Sequence, residues 1–160
     1  MRTGRNLIAK LGPEAQECVA FVQWFEVAYP REFEFLTFIP MGHANKFDKI
    51  IRAAMGAKPG VSDYGLFVPA GRYSGLWLEG KATGGTWSDV STDQRKWLLL
   101  MERAHFFPAV GYGLDHMRQI AKLYLAARSS EDARVELFLH NFRNRVSAKR
   151  LAREPHEIAA

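Results

Sequence analysis

The period of hydrophobic positions changes repeatedly along the chain. In "GPEAQECVAFVQWFEVAYP", Val19, Phe21, Val22 and Phe25 recur at helical spacing. Pro13 suits the first turn of that helix, Glu14 and Glu17 lie near the positive end of its dipole, and Pro30 stops it. "FEFLTFIP" alternates in part through Phe33, Phe35, Leu36 and Phe38, which predicts a strand ended by Pro40. "HANKFDKIIRAAMG" reads as a short amphipathic helix closed by Gly56, with Lys46, Lys49 and Arg52 on its polar side.

A turn and strand in "KPGVSDYGLFVP" and a second strand in "GRYSGLWLEGKA" are expected to pair as a hairpin, followed by a loop in "TGGTWSDV". "STDQRKWLLLMERAHF" predicts a helix, because Ser91 and Gln94 stand at the spacing of a capping box. "FPAVGYG" reads as a buried strand and "LDHMRQIAKLYLAA" as a helix. A last helix is expected from Ser129 to about Arg153. Helices and strands in this order imply a mixed sheet flanked by helices.

Composition bounds the chemistry. The 160 residues amount to one domain, with 48% hydrophobic and 24% charged residues, which excludes a disordered chain. A single cysteine, Cys18, excludes an intrachain disulfide and suits a reducing compartment. No signal peptide or membrane span stands out, so a cytoplasmic protein is expected. The formal charge of +5 favours a polyanionic partner. The five histidines lack zinc-ligand spacing.

"GLWLEGKAT" comes close to a phosphate-binding loop, with Gly75, Gly80 and Lys81 in place. The match fails on chemistry. Leu76, Trp77 and Leu78 form an apolar strand that cannot curl around phosphates, Glu79 would repel them, and Ala82 lacks the magnesium-binding hydroxyl. The same stretch contains Glu79-x-Lys81. Side chains at i and i+2 of a strand share a face, so a carboxylate and an ammonium stand together there. Alone, that pair reads as a surface ion pair on an edge strand. Asp63, at the start of the preceding strand, changes the balance: pairing of the two strands would bring a second carboxylate beside Glu79. Two convergent carboxylates suit Mg²⁺, with waters and a substrate phosphate completing its octahedron.

Asp63 followed by Glu79-x-Lys81 resembles the PD-(D/E)xK nuclease superfamily. The closer resemblance is to its VRR-NUC branch, in the standalone form common in bacteriophage and prophage genomes. The segments that carry it, in order, are "EAQECVAFVQW", "FIPMGHANK", "GAKPGVSDYGLFVP", "GRYSGLWLEGKA", "STDQRKWL" and "VGYGLDHMRQIAKLYL". The resemblance implies a restriction-endonuclease-like core. It implies that Asp63, Glu79 and the backbone carbonyl of Gly80 hold Mg²⁺ or Mn²⁺, and that Lys81 orients or activates a water. It also implies a carboxylate from the first helix, Glu14 or Glu17, and support from Gln94, which can serve the capping box as well. The sequence departs from the family pattern at Ser62, where proline is usual before the aspartate, at Gly80, where an aliphatic residue is usual, and at Met41, which replaces a common asparagine.

The resemblance further implies a DNA endonuclease acting on branched DNA such as Holliday junctions, often as a homodimer, and located in the host cytoplasm if phage-encoded. The alternatives are a non-catalytic DNA-binding or assembly protein, or a nuclease on linear, flapped or single-stranded DNA. His43, Lys46, Lys49, Arg52 and Lys58 precede Asp63 and would line a phosphate track, with a solvated helix face as the plainer reading. Arg143, Arg145, Lys149 and Arg150 form a second basic group beside an apolar stripe. The expected organisation is an extension over 1–12, a nuclease core over 13–127, and a basic amphipathic helix with a tail over 128–160.

Overall fold

Gly12 has an extended backbone and Pro13 opens the helix α1 (Pro13–Ala28), which ends where the Tyr29 N–H donates back to the Phe25 carbonyl. The computed structural model describes residues 8–40 and 46–127, with Lys46 described by its backbone alone. The expected C-terminal helix and its arginines and lysines, the extension over 1–7, and the loop with Met41 and His43 lie outside the described residues. The buried face of α1 is narrower than its periodicity suggests. Phe21 and Phe25 are fully buried, whereas Val19 and Val22 are half-buried.

The strand expected from Phe33 is shorter and begins later. Pro30 ends α1, but its fixed φ suits a first helical turn, and a four-residue helix α2 (Pro30–Phe33) follows at once. The strand β1 covers only Leu36–Phe38. The helix α3 (Lys46–Ala54) ends as expected at Gly56, which has a φ of +94°.

The strands β2 (Tyr64–Leu66), β3 (Leu76–Lys81) and β4 (Phe107–Tyr112) join β1 in one sheet of order β1-β2-β3-β4. β1–β2 and β2–β3 are antiparallel and β3–β4 is parallel. A parallel pair needs a crossover. Here it is the helix α4 (Thr92–Arg103), whose cap is the expected reciprocal box between Ser91 and Gln94. The helix α5 (Leu114–Ala126) completes the described core.

Alternation along the two central strands assigns their faces. Leu76 and Leu78 of β3, with Phe107 and Ala109 of β4, pack with Phe21 and Phe25 of α1 and with Met117, Ile120 and Tyr124 of α5. On the other face Trp77 meets Trp97 of α4 edge-on, with ring centroids 5.2 Å apart, and Val110 packs with Val90 and Leu98. The mixed sheet thus lies between α1 and α5 on one side and α4 on the other. β3 is a central strand, and all six of its residues are buried. No described helix is long and apolar enough to cross a membrane.

Candidate metal centre

The site lies where one strand of the sheet runs out. β2 pairs with β3 only as far as Tyr64↔Leu78, while β3 continues beside β4 to Lys81↔Tyr112. Beyond Leu78 the polar groups of β3 on the β2 side therefore lack a strand partner. Asp63, the residue before β2, fills the gap: its Oδ2 accepts the Gly80 N–H at 2.8 Å. A strand residue presents its N–H and C=O to the same neighbour, so the Gly80 carbonyl faces that same open edge.

Glu79 and Lys81 point to the α4 side, and Lys81 Nζ donates to Glu79 Oε1 at 2.9 Å. With 1% and 9% of their surfaces exposed, they are a buried pair on a central strand, not a surface ion pair on an edge. Gln94 Nε2 donates to the same Glu79 oxygen. The Gln94 Oε1 meanwhile accepts the Ser91 N–H at 2.8 Å, so one side chain both caps α4 and steadies the carboxylate. Glu79 Oε2 is left buried with no hydrogen-bond partner. An orphaned carboxylate oxygen in the interior is costly, and either a proton or a cation satisfies it.

The electrostatics agree with the geometry. Burial first, and then the charge of Asp63, push the Glu79 carboxyl up to about 7, against the opposing hydrogen bond and charge of Lys81. Burial also raises Asp63, with the Gly80 hydrogen bond and the Lys81 charge pulling the other way. For Lys81 burial acts downward, but the hydrogen bond to Glu79 and the charges of Glu79, Glu14 and Asp63 outweigh it and raise the ammonium above its ordinary value. Lys81 is therefore a cation at neutral pH.

The two glutamates of α1 part company. The charge of Glu14 acts on Asp63, Glu79 and Lys81 alike, which sets it over the site. Glu17 is engaged elsewhere: the Thr83 N–H donates to its Oε2 at 3.0 Å and the Thr83 hydroxyl donates to its Oε1. Among the described residues no three His, Cys, Asp or Glu side chains form a closed metal cage. What is present is two carboxylates and a backbone carbonyl at an open edge. That donor set suits Mg²⁺, which keeps several waters and takes phosphate oxygens as further ligands.

Three supporting contacts carry no signal in the sequence. A Cβ at Gly80 would lie 2.9 Å from Cys18 Sγ and 3.5 Å from Met117 Sδ. The two sulfurs occupy the space an aliphatic residue would take at that position and let α1 approach β3. Gly60, at φ +76°, stands so close to α4 that a Cβ would come within 2.2 Å of the Asp93 carbonyl carbon. This keys the segment leading to Asp63 onto the helix that carries Gln94. Thr83 packs in turn on Gly113, where a Cβ would lie 2.2 Å from its hydroxyl oxygen.

Of the expected basic track, Lys46, Lys49 and Arg52 lie on α3 and Lys58 follows it. Lys49, Arg52 and Lys58 are exposed, and Arg52 Nη1 donates to the Pro40 carbonyl at 3.3 Å. The apolar side of α3 is exposed too, with Ile50 60% and Phe47 69% accessible.

The fold has a solved counterpart. A VRR_NUC domain protein is similar over 74% of this chain and 92% of its own, with a TM-score of 0.64 and 18% sequence identity. The chain has the VRR_NUC fold. No family model and no curated protein matches the sequence. On the VRR_NUC fold, the restriction-endonuclease-like core expected from the sequence is the observed architecture, a mixed four-stranded sheet between helices.

Proposed function

We propose that this chain is a metal-dependent DNA endonuclease. The observation that carries the reading is Glu79: one oxygen is fixed by Lys81 and Gln94, while the other is buried and unpartnered beside the open edge where Asp63 meets Gly80. Asp63, Glu79 and the Gly80 carbonyl would hold Mg²⁺ or Mn²⁺. Such an ion, when bound, polarises the scissile phosphate and lowers the pKa of a water.

The protein's own groups supply the rest. Gln94 and Lys81 keep Glu79 in one rotamer. The Lys81 ammonium, cationic at neutral pH, orients the attacking water or stabilises the charge that develops on the phosphate. Glu14 adds a carboxylate over the site, while Glu17 holds α1 to the loop after β3 and so acts as a positioning residue. Lys49, Arg52 and Lys58 serve the DNA backbone through salt-sensitive, sequence-independent contacts.

Branched DNA is the preferred substrate in this reading, with a two-fold homodimer making the paired cuts that a four-way junction requires. The test is cleavage of labelled junction, flap, linear and single-stranded DNA with Mg²⁺, Mn²⁺ or a chelator. Metal-dependent cleavage that is lost in Lys81→Ala is expected. Salt-sensitive binding with no cleavage of any substrate would leave a DNA-binding protein in place of the enzyme.

A further inference from the structure

A cavity of about 470 Å³ opens between α1 and the β1–β2 edge, and its lining includes Glu14 and Asp63. It is therefore continuous with the candidate metal centre. Its size falls within the range of small-molecule sites, roughly 300–1,000 Å³. The remaining walls are chiefly apolar, with Val19 and Val22 on the helix side and Phe38 and Tyr64 on the strand side. Phe38 is 54% exposed although it is a large aromatic, and its ring lies 5.5 Å from that of Tyr64. Tyr64 is held in place by donating its hydroxyl to the Cys18 carbonyl at 3.2 Å.

We propose that this cavity receives a nucleobase, unstacked from the nucleotide next to the scissile phosphate. The proposal rests on the endonuclease reading of the adjoining site. A phosphate is excluded from the cavity, because its polar corner is two carboxylates. Glu14, which stands outside the proposed ligand set, accepts a hydrogen bond from the amino group of adenine, cytosine or guanine, which thymine lacks. The apolar walls and the Phe38 ring supply a stacking surface that any base can use. With the base seated there, its own phosphate stays outside the cavity mouth on the side of Asp63, the residue that the cavity and the candidate metal centre share. Nucleotides that are already unpaired, as at a branch point or flap, enter at the lowest cost.

The test uses the full chain and DNAs that carry one abasic site at successive positions around the mapped cut. Affinity is read by fluorescence anisotropy with Ca²⁺ in place of Mg²⁺. One flanking position is expected to cost wild type roughly 5- to 150-fold when its base is removed. The same removal should cost little in Val19→Trp, which fills the cavity from the helix, or in Phe38→Ala, which removes the stacking ring. Using two variants from opposite walls, each checked by thermal unfolding, guards against misfolding of either one. A flat abasic profile in a wild-type protein that cleaves DNA overturns the cavity assignment and leaves the nuclease reading standing. An abasic profile identical in wild type and both folded variants does the same. Absence of metal-dependent cleavage on every substrate removes both.

Discussion

The two halves of β3 share one strand and one depth of burial, yet they do different work. Leu76, Trp77 and Leu78 lie between β2 and β4 with every backbone group able to find a strand partner. Glu79, Gly80 and Lys81 lie between β4 and nothing but the Asp63 side chain. The first half stabilises by packing, as a strand buried on both faces does. The second is where the sheet leaves donors and acceptors unspent, and two ionisable residues are buried there with a carboxylate oxygen unsatisfied. The lesson is local: stopping β2 three residues before the end of β3 makes an open polar edge inside a protein without giving up the core.

The sharpest way to break this contrast is to substitute one residue in each half. Lys81→Ala should lower the cleavage rate by about 100- to 1,000-fold, the usual cost of removing one group that stabilises developing charge. Its thermal midpoint should change much less than its rate. Leu78→Ala should do the reverse, losing about 2–5 kcal/mol of stability while the folded fraction keeps its rate. Parallel rate and denaturation measurements decide the matter. If Lys81→Ala fails only by unfolding, the polar half is structural.

The halves also differ in their response to pH. An exposed glutamate gives up its proton near 4.5, whereas metal-free folded Glu79 holds it to about 7. Between those values the native state binds the extra proton, so stability falls as pH rises through the window. The loss attributable to Glu79 is roughly 3 kcal/mol. Asp63, also raised, contributes in the same direction. Urea denaturation in chelator from pH 5 to pH 8 measures the slope, and Glu79→Gln should flatten it. A slope unchanged in that variant would mean the burial of Glu79 is relieved in solution.

Gln94 joins the polar half to the cap of α4, and two substitutions separate those roles. Gln94→Leu loses both hydrogen bonds and should reduce metal affinity or rate by roughly 10- to 100-fold, as loss of an orienting partner does. It should also cost about 0.5–2 kcal/mol of stability through the cap. Gln94→Glu retains an acceptor for the Ser91 N–H but sets a carboxylate against Glu79, so activity should fall with the cap kept. Equal activity in Gln94→Glu and wild type would show that the contact with Glu79 does not matter.

Much of this was legible in the sequence, and the limits have physical causes. Short apolar runs located β3 and β4, and the capping box located α4. The proximity of Asp63, Glu79 and Lys81 was legible: strand spacing puts Glu79 and Lys81 on one face, and the pairing of β2 with β3 brings Asp63 to Gly80 between them. The strand expected from Phe33 begins only at Leu36, because a proline that ends one helix also begins another, and local composition does not separate the two outcomes. The burial of the Glu79–Lys81 pair depends on β3 being central, which is a property of the whole sheet. Gly60 and Gly80 look like ordinary turn and strand glycines until the backbone or sulfur that would collide with their Cβ is in place. The contact of Glu17 with Thr83 spans 66 residues, and no spacing rule reaches that far.

Glu14 and Glu17 give the finest test, since they share one helix turn and differ only in what they face. Glu17→Ala frees the Thr83 N–H and hydroxyl at an exposed position where water can replace the partner. The cost should be modest, about 0.5–1.5 kcal/mol. Metal affinity, read by the rise in thermal midpoint with Mg²⁺, should stay near wild type, because Glu17 holds the helix and not the ion. Glu14→Ala should leave the midpoint in chelator almost unchanged, yet weaken metal affinity or cleavage by about tenfold, the low end for a group just outside the ligand set. Thr83→Val should reproduce Glu17→Ala and not Glu14→Ala, because it removes the hydroxyl that Glu17 holds. If Glu17→Ala instead abolishes metal binding with its stability intact, the helix carboxylate of the site is Glu17, and the contact with Thr83 must open before the ion is bound.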